Sequence, residues 1–199
     1  MAQTRKMSTR NMVLGAVLTA LVFMLQYMGS FVKFGPFSIS LVLIPIVIGA
    51  ATCGKWIGAW LGFVFGAAVL LNGDAAGFQA LNLWGTNITV LAKGLLCGLL
   101  SSVAYEAVLG FCNKISLKNG RYIAVVVAAI VCPVVNTGVF ILGCLIFLFN
   151  DLSAEAGGTN VLVHIITAYV TINFIIELAA NIILSPVISR LVDIRKRKQ

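Results

Sequence analysis

The chain has 199 residues, 60% of them hydrophobic and 10% charged, with a mean hydropathy of +1.05 and a formal net charge of +8. A soluble domain carries roughly a quarter charged residues, so too little polar surface remains for water, and an integral membrane protein is expected. The positive charge sits at the ends of apolar segments, which argues for topology and anionic lipid headgroups and against nucleic acid as a partner.

A basic start, Arg5, Lys6 and Arg10, precedes the first predicted helix, about Asn11 to Phe31. That run lacks a small-residue cleavage site and is long enough to span a bilayer, so it reads as a retained helix and not as a signal peptide. The stretch FVKFGPFS then turns the chain, with Gly35 and Pro36 as breakers. The second helix, about Ile39 to Thr52, carries Pro45. At about 1.5 Å per residue it barely reaches across the hydrocarbon, so it is tilted, broken or shielded by neighbours. The third runs about Lys55 to Leu71. Here Gly54, Gly58, Gly62 and Gly66 recur every four residues, with Ala50 before them. Small residues at that spacing make a smooth face for close packing inside the protein.

The segment Asn72 to Asn87 is too polar to span, yet it holds Phe78, Leu81, Leu83 and Trp84. It is expected as an outer loop folded back over the protein as a cap. The fourth helix follows at about Ile88 to Phe111, then a basic linker from Asn113 to Arg121. The fifth, about Tyr122 to Phe149, has Pro133 in its first half, where a kink frees backbone carbonyls. An outer loop from Asn150 to Thr159 holds Asp151 and Glu155, and the sixth helix runs about Val161 to Val192, with Pro186 near its inner end. These last two helices are about 42 and 48 Å long by helical rise, longer than the hydrocarbon, so they tilt or project beyond it.

Of the 14 Lys and Arg residues, all but Lys33 and Lys93 fall into four places: the basic start, Lys55, the linker with Lys114, Lys118 and Arg121, and Arg190 with the RKRK tail. Six passes put all four on one side, and cytoplasmic loops retain Lys and Arg. The expected fold is therefore an all-α membrane protein forming a single domain over 1–199, with six transmembrane helices and both termini cytoplasmic. The five cysteines (Cys53, Cys97, Cys112, Cys132, Cys144) lack C-x-x-C spacing and read as small buried hydrophobes.

Lys93 is the cation that topology does not require. It lies roughly 8–10 Å below the outer end of the fourth helix, where a charge normally faces a cavity or a partner. Residues four apart share a helix face, so Thr89, Lys93, Cys97, Ser101 and Tyr105 form one stripe. The sixth helix has a matching stripe of Tyr169, Asn173, Glu177 and Asn181, and Asn136 follows the Pro133 kink. Together they point to an outward-opening pocket for a small, mostly neutral ligand with a carboxylate for Lys93. The other reading is a Lys93–Glu177 ion pair that ties two helices. Glu177 could also serve as a proton-coupling carboxylate. Glu106 near the inner end of the fourth helix can snorkel, and His164 reads as an interfacial side chain. No H-E-x-x-H, G-x-S-x-G, P-loop or metal-binding acidic cluster is present, so no catalytic residue, metal or cofactor is expected.

Size, basic character, the short second helix, the cap after the third and the pair Ala16 and Ala20 within GAVLTALVF together resemble the substrate-binding S component of energy-coupling factor (ECF) vitamin transporters. The resemblance covers essentially the whole chain. It implies a multi-pass protein of a prokaryotic cell membrane that binds its vitamin tightly on the outer side. It also implies docking, through Ala16 and Ala20, on a transmembrane coupling subunit with two cytoplasmic ATPases, followed by toppling that carries substrate inward. The missing P-loop is then expected, because partner chains hydrolyse ATP. PVVNTGVFILG is similar to the pantothenate type, in which an asparagine matched by Asn136 helps bind substrate. The expected substrate-binding residues are Lys93, Asn136, Trp84, Asn173, Tyr169 and Asn87, and the expected vitamin is pantothenate. The alternatives are another vitamin such as riboflavin, or a proton-coupled secondary transporter using Glu177. The internal repeats common in such transporters are not evident.

Overall fold

A computed structural model describes residues 9–29, 33–34, 37–38 and 41–197. Arg5, Lys6, Phe31, Gly35, Pro36 and Ile39 lie outside the described residues, as do the side chains of the RKRK tail. The first helix, α1, is Thr9–Gly29. Two short strands follow, β1 (Lys33–Phe34) and β2 (Phe37–Ser38), paired antiparallel with Lys33 opposite Ser38 and Phe34 opposite Phe37. The sequence reading placed only a turn there.

The next pair is α2 (Leu43–Cys53) and α3 (Lys55–Leu71), joined at Gly54. Gly54 has φ of 86°, a left-handed conformation that glycine adopts without a side-chain clash, and it lets the chain reverse in one residue. Two findings then depart from the expected loops. The segment after α3 contains a short helix, α4 (Ala76–Leu81), and α5 starts at Leu83 and runs to Lys114, five residues earlier than expected. The cause is Asn82. Its Oδ1 accepts a hydrogen bond from the Gly85 backbone N–H at 2.9 Å, an N-cap that satisfies an otherwise orphaned donor.

After α6 (Gly120–Phe147) another short helix, α7 (Phe149–Glu155), occupies most of the second expected outer loop. The last rod is compound: α8 (Val161–His164), a π-helical stretch at Ile165–Val170, and α9 (Thr171–Arg197).

By length and composition four helices can cross a membrane: Thr9–Gly29, Leu83–Lys114, Gly120–Phe147 and Val161–Ile194. The 11 residues of α2 rise only about 16 Å, and the 17 of α3 about 25 Å, against roughly 30 Å of hydrocarbon. The position of α2 accounts for its shortness. It packs against α1, α3, α5, α6 and α9, and Leu43, Ile46 and Val47 are fully buried. A helix enclosed by protein need not match the lipid around it. The outer surface carries Val13, Met24, Trp56, Ile172 and Ile183 exposed, as a lipid-facing surface requires.

The glycine face of α3 meets a second one on α5. A β-carbon on Gly62 would overlap the Gly94 carbonyl, and one on Gly98 would overlap the Gly58 carbonyl. On Gly66 it would sit 2.7 Å from the Val90 carbonyl oxygen. The two backbones are in contact along this seam, the internal close packing expected of small residues at this spacing. The sequence reading recognised the α3 face but not Gly94 and Gly98 as its partners.

Arg10, Lys55, Lys114 and Arg121 stand at the start of α1, the start of α3, the end of α5 and the start of α6. Arg121 Nη1 pairs with Asp193 Oδ1 of α9 at 2.6 Å, tying the basic ends of two helices. A cavity lies toward the other end of the same helices.

Candidate functional site

At the end of the bundle remote from the basic residues, α1, α3, α4, α5, α6, the π-helical stretch and α9 enclose a cavity of about 100 Å³. Four of the six expected substrate-binding residues line it together: Lys93 from α5, Asn136 from α6, Tyr169 from the π-helical stretch and Asn173 from α9. Glu177 lines it as well. The i, i+4 spacing along α9 places Asn173 and Glu177 on one face, and Asn136 faces them from the turn of α6 just after Pro133.

Lys93 and Glu177 do not form the direct ion pair of the alternative reading. Among the described residues Arg121 pairs with Asp193, and His164 lies 3.9 Å from Glu155; no such contact joins Lys93 to Glu177. The Lys93 ammonium instead lies 5.2 Å from the ring centre of Phe140 and 5.9 Å from that of Phe65. Aromatic faces attract a cation at this range without neutralising it, and no carboxylate is in direct contact with the Lys93 amine. Glu177 is 2% exposed and accepts from Asn173 Nδ2 at 3.3 Å and Asn136 Nδ2 at 3.5 Å. Asn181 donates to the Glu177 backbone carbonyl at 2.9 Å and does not reach the cavity.

An aromatic group stands on the same wall. Phe78 of α4 packs edge-on against Phe140 at 5.4 Å and against Tyr169 at 5.1 Å, a favoured arrangement of ring edges on ring faces. The Tyr169 hydroxyl donates to Glu155 Oε1 of α7 at 2.6 Å, and His164 Nε2 lies 3.9 Å from the same oxygen. The expected cap is therefore real for Phe78 alone. Leu81, Leu83 and Trp84 are exposed, Trp84 by 76%.

The structure does not bring Trp84 and Asn87 to the cavity. Because α5 starts at Leu83, Trp84 falls on its first turn and projects outward. Trp84→Phe is expected to leave ligand affinity within about threefold of wild type, measured by calorimetric titration. Asn87 has a different partner: its Oδ1 accepts from Gln79 Nε2 at 2.8 Å, and Thr86 Oγ1 donates to the Phe78 carbonyl at 2.9 Å. These two bonds hold α4 over α5.

Sequence reasoning missed Gln26 and Asp74. Gln26 on α1 is 3% exposed, donates to Asp74 Oδ2 at 2.8 Å, and shares that oxygen with Asn72 Nδ2 at 2.9 Å. Both Gln26 and Asp74 line the cavity. A polar residue in an otherwise apolar span is a signal in itself, and it would have found Gln26. Asp74, in a polar segment, offers none. The lower part of the α5 stripe serves packing: Ser101 Oγ donates to the Ala128 carbonyl at 3.0 Å, and Tyr105 is buried in the core. Ala16 and Ala20 are both exposed on α1.

The family model for the substrate-specific component of ECF transporters matches residues 10–189. No curated protein and no solved structure matches the chain.

Proposed function

The chain belongs to the ECF transporter substrate-specific component family, and from that premise we propose that it captures pantothenate from outside a prokaryotic cell and delivers it through an ATP-driven partner. Members of this family are multi-pass, substrate-binding transport subunits and not enzymes, and they work with a transmembrane coupling subunit and ATPases. The observation that carries the finer reading is one cavity holding a ring-bound ammonium, Lys93, beside the Asn136 amide. Pantothenate is small, has one carboxylate for Lys93, and has an amide and hydroxyls for the asparagines. A cavity of about 100 Å³ is below the roughly 300–1,000 Å³ of typical ligand sites. It favours a slender ligand over the tricyclic ring of riboflavin.

Six helices cross the bilayer in this reading, with the short α2 enclosed by the bundle and both termini in the cytoplasm. Retention of Lys and Arg on the inner side then turns the cavity outward. Two cytoplasmic ATPases and the coupling subunit are reached through Ala16 and Ala20, whose small side chains let a neighbouring helix approach. Ala20→Leu is expected to abolish uptake by the assembled transporter while changing ligand affinity less than about twofold.

The test is mass spectrometry of the small molecule retained by the purified protein, followed by titration with pantothenate in the absence of ATP. Nanomolar binding is the expected result. A retained ligand without a carboxylate, or no binding of pantothenate, sinks the assignment. Accumulation driven by a pH gradient in liposomes that hold this chain alone would instead support proton coupling through Glu177.

A further inference from the structure

The polar wall of the cavity around Glu177 has accepting capacity that its neighbours leave unfilled. A carboxylate has room for about four hydrogen bonds. Glu177 receives two, one on each oxygen, at 3.3 and 3.5 Å, beyond the usual range for N–H···O bonds. The Asn136 and Asn173 NH2 groups are the ones that face the two Glu177 oxygens, the arrangement that a carboxylate accepting from both requires. For Asn136 the consequence is a carbonyl oxygen directed away from Glu177. That oxygen is buried without a hydrogen-bond partner, in a residue 4% exposed that lines the cavity. A buried acceptor in that state is costly until something donates to it. Lys93 does not fill this role, because its ammonium lies against Phe65 and Phe140 and makes no ion pair with Glu177.

We propose that Glu177 and the Asn136 carbonyl form a second, accepting pole of the site, so that the ligand is a monocarboxylic acid bearing at least two polar hydrogens, on O–H or N–H groups, at the end remote from its carboxylate. The proposal rests on the reading in which the carboxylate meets Lys93. It sets the orientation of the ligand and makes Glu177 a specificity residue. The same pole repels a second carboxylate, which rejects diacids by like charge as well as by missing donors.

Two matched pairs of acids test it by calorimetric titration of the full chain in detergent. One pair is pantothenate and its analogue with both hydroxyls replaced by hydrogen. The other is biotin, which has two ureido N–H groups, and lipoate, a similar acid with a sulfur ring and no N–H. Wild type is expected to prefer the donor-bearing member of at least one pair by tenfold or more. Glu177→Gln, which removes the charge and one of the two accepting oxygens, should cut that preference by threefold or more. Equal binding within each pair by wild type overturns the proposal without requiring any variant to fold. So does a preference that Glu177→Gln cuts by less than threefold, or a failure of both donor-bearing acids to bind. If pantothenate fails while biotin follows the expected pattern, the vitamin assignment falls and the accepting pole stands.

Discussion

Gly62→Val is expected to eliminate most of the folded, monodisperse protein. A β-carbon at Gly62 overlaps the Gly94 carbonyl, and a backbone group cannot rotate aside as a side chain can. Relief requires α3 and α5 to separate, which also opens the contacts of Gly58 with Gly98 and of Gly66 with Val90 along the same seam. Overpacking costs typically about 1–3 kcal/mol where side chains can adjust. Here they cannot, so the penalty belongs at or above the upper end of that range. Against a typical total stability of roughly 5–15 kcal/mol, that is a large share. Size-exclusion chromatography and thermal unfolding in detergent measure it. Gly138→Ala on α6 is the control, because a β-carbon there meets nothing within 4 Å. It should leave the melting temperature unchanged or raise it slightly, since alanine is better than glycine in a helix by roughly 0.5–1 kcal/mol. Equal behaviour of the two variants would mean that the seam is not a true backbone contact.

Lys93→Met should weaken pantothenate binding at least tenfold, about 1.4 kcal/mol, with little loss of thermal stability. The two readouts separate the ligand-binding role from a structural one. Methionine keeps an unbranched stem against Phe65 and Phe140 and removes only the ammonium. Had Lys93 tied α5 to α9 through Glu177, removing one partner would leave a buried charge uncompensated and cost about 3–5 kcal/mol. The two groups are not in direct contact and feel each other's charge only at longer range, so the melting temperature should fall by less than that penalty implies while affinity falls tenfold. Wild-type affinity in the variant would show that the carboxylate does not meet Lys93.

Hydrophobic runs and basic ends made the long helices legible, and their spacing made much of the cavity legible too. Lys93, Asn136, Tyr169 and Asn173 were found because polar groups are costly within apolar helices, and an i, i+4 pattern sets which of them share a face. What escaped was local chemistry that periodicity does not register. Asn82 caps α5, and nothing in the polar composition of Asn72 to Asn87 distinguishes a capped helix start from a loop. That displacement is the reason Trp84 and Asn87 were expected at the cavity, when one projects outward and the other braces α4. A stripe on one helix also cannot reveal where cavity gives way to packing. Thr89 and Lys93 face open space, whereas Ser101, on the same face, bonds to the backbone of α6. The glycines of α3 called for a close partner, but no single-helix pattern says which helix supplies it.

The enclosure of α2 also bears on how the chain enters the membrane. An 11-residue segment offers an insertion machine too little apolar length to be released into lipid by itself. Of the five helices that surround it, α3, α5, α6 and α9 are synthesised later, and α9 is the last of all. The second helix therefore takes its final depth only after α9 has been made. Synthesis runs from the first residue to the last, but consolidation of the bundle has to work backwards, and a chain arrested before α9 should hold α2 loosely and be open to proteolysis there.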